Sequence, residues 1–409
     1  MRSGFTTGSC SAAASAAALT MLLTQKKIDT VTILTPKGVS YSPVIEEPRF
    51  DEHGASCAVR KDGGDDVDIT DGILVCAEVR FSDPETVAAR NRAALAEAGM
   101  EPEPDGTLPD WMSPRVFIDG GEGVGRVTRP GLDMPVGFAA INSTPRRMII
   151  RETGRVCEDL CYDGAYEVKI FVPEGRETAK KTFNSHMGIE GGISILGTSG
   201  VVEPMSVQAL LDTIRVDLSM QKSEKMPVAV IVPGNYGETF LGKEYNFPKS
   251  KIVHCSNYVG EAIDMAIEMG FDRILMAAHT GKFIKVSGGI MNTHSSEADG
   301  RAELLLAAAV EAAVRLGSTA LTLEKEKELL DCVSTTAGLE ILRDLGLLEE
   351  TSRVAVEKIQ KSLLYRTKKT LAKEELGRVQ IECILYENSM GELACTEHAK
   401  EFLREALEH

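Results

Sequence analysis

The sequence predicts an N-terminal α+β domain followed by a Rossmann-like, mostly parallel α/β domain. Three observations carry that prediction. In the first part of the chain, short β-like runs alternate with turns rich in Gly, Pro and Asp. Beyond about residue 155 the strand-like runs become almost continuously apolar, and several lead into helix-like segments. That pattern belongs to a parallel sheet covered on both faces. The chain's 409 residues suffice for two or three domains of roughly 100–200 residues each. The division is placed at 1–155 and 156–409, with a polar insertion at about 83–114.

Residues 11–24 are Ala-rich with scattered Leu and Met. They read as a buried helix whose small side chains let a neighbour approach closely. Short strands are expected at VTILTP from Val31, SCAVRK from Ser56 and ILVCAEVRF from Ile73. From Asp83 to Pro114 the chain turns polar, as a helix and then an exposed loop. VFIDGG is a further strand, running into the Gly-rich turn GGEGVGRV. In the second domain the expected strands are YEVKIFVP, GISILGTSG, MPVAVIVPGN, SKIVHCSN and DRILMAAHTG. VGEAIDMAIEMGF and EADGRAELLLAAAVEAAVRLG are helix-like. A helical region from Ser318 to about Lys373, a late strand VQIECILYE and a last helix from Thr396 complete the pattern.

Composition narrows the function classes. Hydrophobic residues at 43% and charged residues at 26% give an ordinary globular balance. A net charge of −16 repels nucleic-acid phosphates and anionic membranes on average. Aromatic residues are scarce and Trp111 is the sole tryptophan, so stacking platforms for bases are not a feature. Nine cysteines without a CxxC pair read as reduced, mostly buried thiols of a cytoplasmic protein. The N-terminal apolar stretch is short and broken by Ser and Thr, which argues against a signal peptide. No stretch approaches the roughly 20 apolar residues of a membrane span. No HExxH, paired CxxC or EF-hand loop suggests a metal site.

Ligands of open parallel sheets sit beyond the carboxyl ends of the strands, and three motifs are expected there. The first is Gly197-Thr198-Ser199-Gly200, which reads either as a ligand-holding loop or as a plain β–α turn. The second is Gly234-Asn235-Tyr236-Gly237-Glu238. Its polar groups suit a nucleoside cofactor and its carboxylate a cationic sulfonium, or they are the solvated residues of a tight turn. The third packs His279, Lys282, Lys285, Thr293, His294, Asp299 and Arg301 into 23 positions. Its cations suit carboxylate or phosphate groups, and His279 or His294 suits proton transfer. A helix is expected to begin near Ser295 or Ser296, with Asp299 in its first turn as catalytic residue or cap. Two further candidates are Thr6, Thr7 and Ser9 before the Ala-rich helix, as anion cradle or N-cap, and Arg146 and Arg147, as carboxylate clamps or a solvated edge. Cys10 has no local histidine to activate it.

These residues alone reach a small-molecule enzyme with a nucleoside or polyanion pocket. The sequence closely resembles the CbiD family, the cobalt-precorrin-5B C-1 methyltransferases. The matching pieces are FTTGSCSAAA, PVGFAAINSTPRRMI, PEGRETAKKTFNSHMGIEGGISILGTSGVVEPMS, VPGNYGE and HTGKFIKVSGGIMNTHSSEADGR, in the family's order over most of residues 4–301. One departure is Asn184-Ser185-His186, where the family typically has Asn-Pro-Arg. The resemblance implies transfer of a methyl group from S-adenosylmethionine to carbon 1 of a tetrapyrrole substrate. The product is cobalt-precorrin-6A, on the anaerobic route to cobalamin, and cobalt is present only within the substrate. The residue roles are this reading's own. His294, His279 and Asp299 are the catalytic candidates. Gly197 to Gly200, Gly234, Asn235, Gly237 and Glu238 are assigned to the cofactor. Thr6, Thr7, Ser9, Arg146, Arg147, Lys282, Lys285, Thr293 and Arg301 are assigned to the substrate's carboxylate arms. The rival readings are a non-catalytic corrinoid-binding carrier and a phosphate-ester enzyme, the second opposed by the lack of a Walker A motif. A homo-oligomer and transient contact with other pathway enzymes both stay open.

Overall fold

The computed structural model describes residues 2–66, 68–182, 184, 187–204, 206–372, 375 and 377–409. It divides into two compact units, Met1–Ser206 and Val207–His409. The boundary therefore lies well beyond residue 155. YEVKIFVP is a strand, but it pairs inside the first unit. GISILGTSG contributes only the two-residue strand Gly192–Ile193, which pairs with Gly123–Val124.

Unit 1 is built around a buried helix, α1 (Thr7–Thr24). The Thr6 hydroxyl caps it by accepting from the Ser9 amide at 3.2 Å. Ala12, Ala13, Ala14, Ala16, Ala17 and Ala18 have no exposure, because small side chains let the helix lie close to its neighbours. By length and composition α1 could cross a membrane, yet it is buried inside unit 1. It packs against β2 (Gly54–Arg60), β3 (Leu74–Ser82) and α3 (Ser143–Asp159). With β1 (Glu46–Phe50), β4 (Val116–Gly120) and β5 (Ala165–Phe171), these strands form one sheet in the order β1-β2-β3-β5-β4. Every pairing is antiparallel except β5 with β4. The polar insertion begins as expected with a helix, α2 (Pro84–Glu97), capped by Asp83. The GGEGVGRV run is a packing node. Gly123 has φ +74°, and a Cβ there would lie 1.8 Å from the Val172 carbonyl oxygen.

Unit 2 opens with α4 (Val207–Ser223), followed by β6 (Ala229–Val232), α5 (Asn235–Tyr245), β7 (Ile252–His254), α6 (Val259–Glu268) and β8 (Arg273–His279). Helices α7 (Arg301–Leu316), α8 (Leu323–Leu330), α9 (Thr335–Asp344) and α10 (Leu348–Arg366) come next. The chain returns through β9 (Gln380–Glu387) and β10 (Gly391–Cys395) to α11 (Ala399–Glu408). The sheet order is β7-β6-β8-β9-β10. The first four strands are parallel and β10 runs antiparallel at the edge. Ile274 to Ala278 are fully buried, so both faces of β8 are covered. The direction of winding reverses between β6 and β8, which marks the carboxyl ends of these strands as the place for a ligand.

One helix starts later than expected. α7 begins at Arg301, not near Ser295 or Ser296. Ser296 instead closes a turn on His294, its hydroxyl 2.7 Å and its amide 3.1 Å from Nδ1. Asp299 therefore precedes the helix and accepts from the Gly300 amide at 3.0 Å.

Candidate active site

His279 is the last residue of β8 and caps the short helix Thr280–Phe283. Its Nδ1 accepts from the Gly281 amide at 3.0 Å. With Nδ1 an acceptor, a neutral ring carries its proton on Nε2, 3.5 Å from Glu387 Oε1. The ring also stands edge-on to Tyr386, with centroids 5.6 Å apart. Glu387 is the last residue of β9 and is buried. Its carboxylate accepts from the Ser389 amide at 2.6 Å and hydroxyl at 2.5 Å, the Met390 amide at 3.2 Å and the Thr336 hydroxyl at 3.2 Å. Burial alone would raise its pKa, but the bonds from Ser389 and Thr336 and the nearby His279 hold it below the usual carboxylate range. The result is a histidine oriented by an ionised carboxylate, an arrangement suited to moving a proton.

A cavity of about 320 Å³ opens between the start of α7 and the start of α9. Arg301 and Thr335 line it, and Thr336, the next residue, is the one bonded to Glu387. The Thr335 hydroxyl is buried without a hydrogen-bond partner. Arg301 grips Asp299 with two bonds, at 2.8 and 2.9 Å, and that contact holds the Asp299 pKa down. Asp299 thus acts at the helix entrance, and the geometry assigns it no proton-transfer role.

The other residues of the third motif separate by environment. Lys282 is exposed and donates to Asn257 Oδ1 at 2.9 Å. The Thr293 amide donates to the Asn257 carbonyl at 2.9 Å. Lys285 is buried, and its ammonium donates to the carbonyls of Ala298 at 2.7 Å and Thr293 at 3.3 Å. It fastens the loop ahead of α7 and is not presented to a ligand. His294 is exposed, and its Nδ1 is engaged by Ser296.

In the second motif, Gly234 precedes α5 and a Cβ built on it would meet nothing within 4 Å. Open space therefore borders the first amides of α5, which have no partner within the helix. Gly237 instead packs on Val232, with 2.6 Å for a built Cβ. Glu238, expected to face a sulfonium, is already engaged. Lys249 pairs with one oxygen, and His254 Nε2 lies 3.2 Å from the other. Burial lowers the His254 pKa, and Glu238 offsets part of the effect. Asp217 on α4 is pushed up to about 6 by burial, even though the His254 amide bonds it.

The first motif lies in unit 1 and closes on the helix start of the same unit. The Ser9 hydroxyl donates to the Gly200 carbonyl at 2.6 Å, and the Thr6 amide donates to it at 3.2 Å. Thr7 Oγ1 accepts from the Leu196 amide at 3.0 Å. The Ser199 hydroxyl donates to the Val201 carbonyl at 2.9 Å, while Thr198 is exposed. Gly197 has φ +133°, and a Cβ there would fall 2.3 Å from Thr6 Oγ1. Thr6, Thr7, Ser9 and Gly197 to Gly200 therefore come together as predicted, but mostly to satisfy one another. Cys10 is buried against Tyr41 at 3.5 Å, and burial raises its thiol to about 11, so it is no nucleophile. Arg147 is exposed and paired with Asp110 at 3.0 Å. Arg146 is buried and bonded only to carbonyls. In the Asn184-Ser185-His186 departure, Ser185 and His186 lie outside the described residues.

Sequence reasoning missed Glu387, Thr336, His254, Asn257 and Asp217. The signal for Glu387 was its place at the end of VQIECILYE, the carboxyl end of a parallel strand. His254 had the same signal at the end of its own strand.

The CbiD family model matches residues 1–204. The cobalt-precorrin-5B C(1)-methyltransferase of Ruminiclostridium cellulolyticum is 39% identical over 366 residues, which is 90% of this chain and 86% of that protein. The enzyme of the same name from Photorhabdus laumondii is 40% identical over 354 residues, 87% of this chain and 83% of that protein. The one from Alkaliphilus metalliredigens is 36% identical over 394 residues, 96% and 92%. A solved structure of a cobalamin biosynthesis protein (cbiD) from Archaeoglobus fulgidus aligns with a TM-score of 0.37 at 24% identity, over 74% of this chain and 84% of that one. The alignments to the three relatives are longer than unit 1, so they extend into the unit that holds His279 and Glu387. By this length of shared sequence the chain belongs to the CbiD family, to which cobalt-precorrin-5B C(1)-methyltransferases belong.

Proposed function

We propose that this chain methylates carbon 1 of cobalt-precorrin-5B, with S-adenosylmethionine as donor, and yields cobalt-precorrin-6A. The observation that carries this reading is the identity of 36–40% to methyltransferases of that name over at least 83% of their length. The order of the unit 2 sheet supports reading that unit as a doubly wound, Rossmann-like domain with its ligand edge at β6 and β8. S-adenosylmethionine supplies, when bound, an electrophilic methyl on a sulfonium. The open start of α5, at Gly234, Asn235 and Tyr236, is where the chain fits that group. Glu238 and the Gly197–Gly200 loop fit it less well, because their polar atoms are largely matched inside the protein.

In-line methyl transfer draws its acceleration mainly from alignment. The protein's tasks are to hold the macrocycle and to take up a proton displaced from it. His279 Nε2, backed by Glu387, serves the second task. Lys282 and Arg301 are placed to meet carboxylate arms. The test is anaerobic incubation with cobalt-precorrin-5B and methyl-labelled S-adenosylmethionine, followed by mass spectrometry of the tetrapyrrole. One added labelled methyl is expected. Tight tetrapyrrole binding with no label transferred would overturn the proposal in favour of a carrier.

A further inference from the structure

We propose that a cavity around Arg146 in unit 1 binds a carboxylate carried on a short aliphatic stem. The cavity is about 170 Å³ and lies among α2, β4 and the start of α3. Ala94, Ala98, Met112, Ile118 and Phe138 give it apolar walls. Arg146 is the buried charge in that wall, at 2% exposure. Its Nε donates to the Ile141 carbonyl at 2.9 Å and its Nη1 to the Ile118 carbonyl at 3.1 Å. A guanidinium has five N–H donors; two are used, which leaves three, including both on Nη2.

No carboxylate matches this charge. Asp119 is taken by Arg126 at 2.8 Å. Asp133 is taken by the Ser143 amide at 2.6 Å and hydroxyl at 3.0 Å. Burial pushes the Arg146 guanidinium down to about 10, so it is still charged at neutral pH. A buried cation without a counterion is strongly unfavourable. The planar fork of a guanidinium matches the two oxygens of a carboxylate, and such a ligand would supply the missing charge. Size agrees, since an apolar cavity of about 150 Å³ takes up benzene, a molecule larger than propionate. The Arg146 Cζ lies 5.8 Å from the centre of the Trp111 ring, which also stands edge-on to Phe138. Trp111 is the only tryptophan, so its emission reports on this cavity.

The inference stands apart from the methyl-transfer reading, because the cavity lies wholly within unit 1 and the test reads binding. The full chain is titrated with sodium propionate at constant ionic strength while Trp111 emission is followed. A saturable change is expected, with a midpoint on the order of millimolar for so small a ligand. Propionamide, which has the shape without the charge, should bind at least about tenfold more weakly. Arg146→Gln should abolish the response. Because that change alters a buried group, Ala94→Leu provides a second variant. It fills the cavity from α2, keeps Arg146, and should abolish the response while thermal melting shows a folded protein.

S-adenosylhomocysteine separates the two sources of such a carboxylate. A Trp111 response that is lost in R146Q assigns the site to the amino-acid end of the methyl donor. No response, or one that survives in R146Q, leaves propionate as the match and assigns the site to an acetate or propionate arm of the substrate. The proposal is overturned if neither propionate nor S-adenosylhomocysteine gives a saturable response. It is equally overturned if propionamide matches propionate, or if both variants respond like the wild type.

Discussion

Two loops in this protein carry nearly the same chemistry and do different things with it. One is the Thr6–Ser9 segment with the Leu196–Gly200 loop in unit 1, and the other is the His279–Phe283 segment in unit 2. Both combine glycine, hydroxyl and free amide groups at the start of a helix, the recipe for holding an anion. In unit 1 those groups bond backbone atoms of the same unit, from Ser9 on Gly200 to Thr7 on Leu196. In unit 2 the backbone orients a histidine against an ionised glutamate and leaves a proton that can move. What separates packing from a site is therefore where the partners of each polar group lie. Loop composition does not carry that information.

The sharpest way to break this contrast is at His279. His279→Ala should lower turnover by roughly 10²–10⁴-fold, the range for losing a general acid or base, with little change in S-adenosylhomocysteine affinity by calorimetry. His294→Ala should cost less than about tenfold, since no carboxylate orients that imidazole. Equal losses in the two variants, or a greater loss at His294, would move the proton-handling role to the exposed loop.

On the unit 1 side the matching change is Gly197→Ala. The residue has φ +133°, and its added methyl would overlap the Thr6 side chain. A loss of about 2–4 kcal/mol is expected from the strained backbone and the clash together, measured by denaturant unfolding. S-adenosylhomocysteine affinity of the folded fraction should not change. A stable variant with weakened cofactor binding would restore this loop as part of the binding site.

The sequence revealed the strands of unit 2 because their runs are apolar on both faces, as in AVIV and ILMAA. It misplaced YEVKIF for a physical reason that was visible. Tyr166, Val168 and Ile170 are buried while Glu167 and Lys169 are not, which is the period-two pattern of a strand with one wet face. His279 was legible as a polar residue following a buried strand. Its partner Glu387 was not, because it arrives with another strand after four intervening helices. Lys285 was also beyond reach. Its burial depends on two carbonyls, Thr293 and Ala298, whose direction is set only when the loop ahead of α7 has folded.

Within unit 2, Glu387 and Asp217 form a second contrast, of one carboxylate held ionised and one held protonated. Asp217 has an ordinary pKa of 3.8 and is raised to about 6 in the folded chain. The folded state then binds more protons than the unfolded state between these values, so stability falls as pH rises from 3.8 toward about 6. The full loss is at most about 3 kcal/mol by the usual conversion of a pKa difference. Asp217→Asn keeps an oxygen for the His254 amide and removes the buried charge. It should be more stable than the wild type by about 1–3 kcal/mol at pH 8, with the gap closing below about pH 4. Urea unfolding across that range measures it. A gap that persists in acid would mean that packing, and not ionisation, separates the two proteins.

The smallest effect is expected at Arg147, and it tests the comparison at its finest scale. Arg146 and Arg147 are neighbours on α3, yet a helix turns about 100° per residue, so one faces the interior and the other water. Arg147 bonds Asp110 at 3.0 Å, Ser143 Oγ at 3.2 Å and Thr144 Oγ1 at 3.1 Å, all in exposed surroundings. Exposed ion pairs contribute about 0–1 kcal/mol. Arg147→Ala should therefore shift unfolding by less than about 0.5 kcal/mol and leave substrate KM where it was. A rise in KM of about tenfold or more with stability unchanged would give Arg147 the carboxylate-holding role that its partners in the structure now occupy, because loss of a substrate contact appears in KM while loss of a surface pair does not.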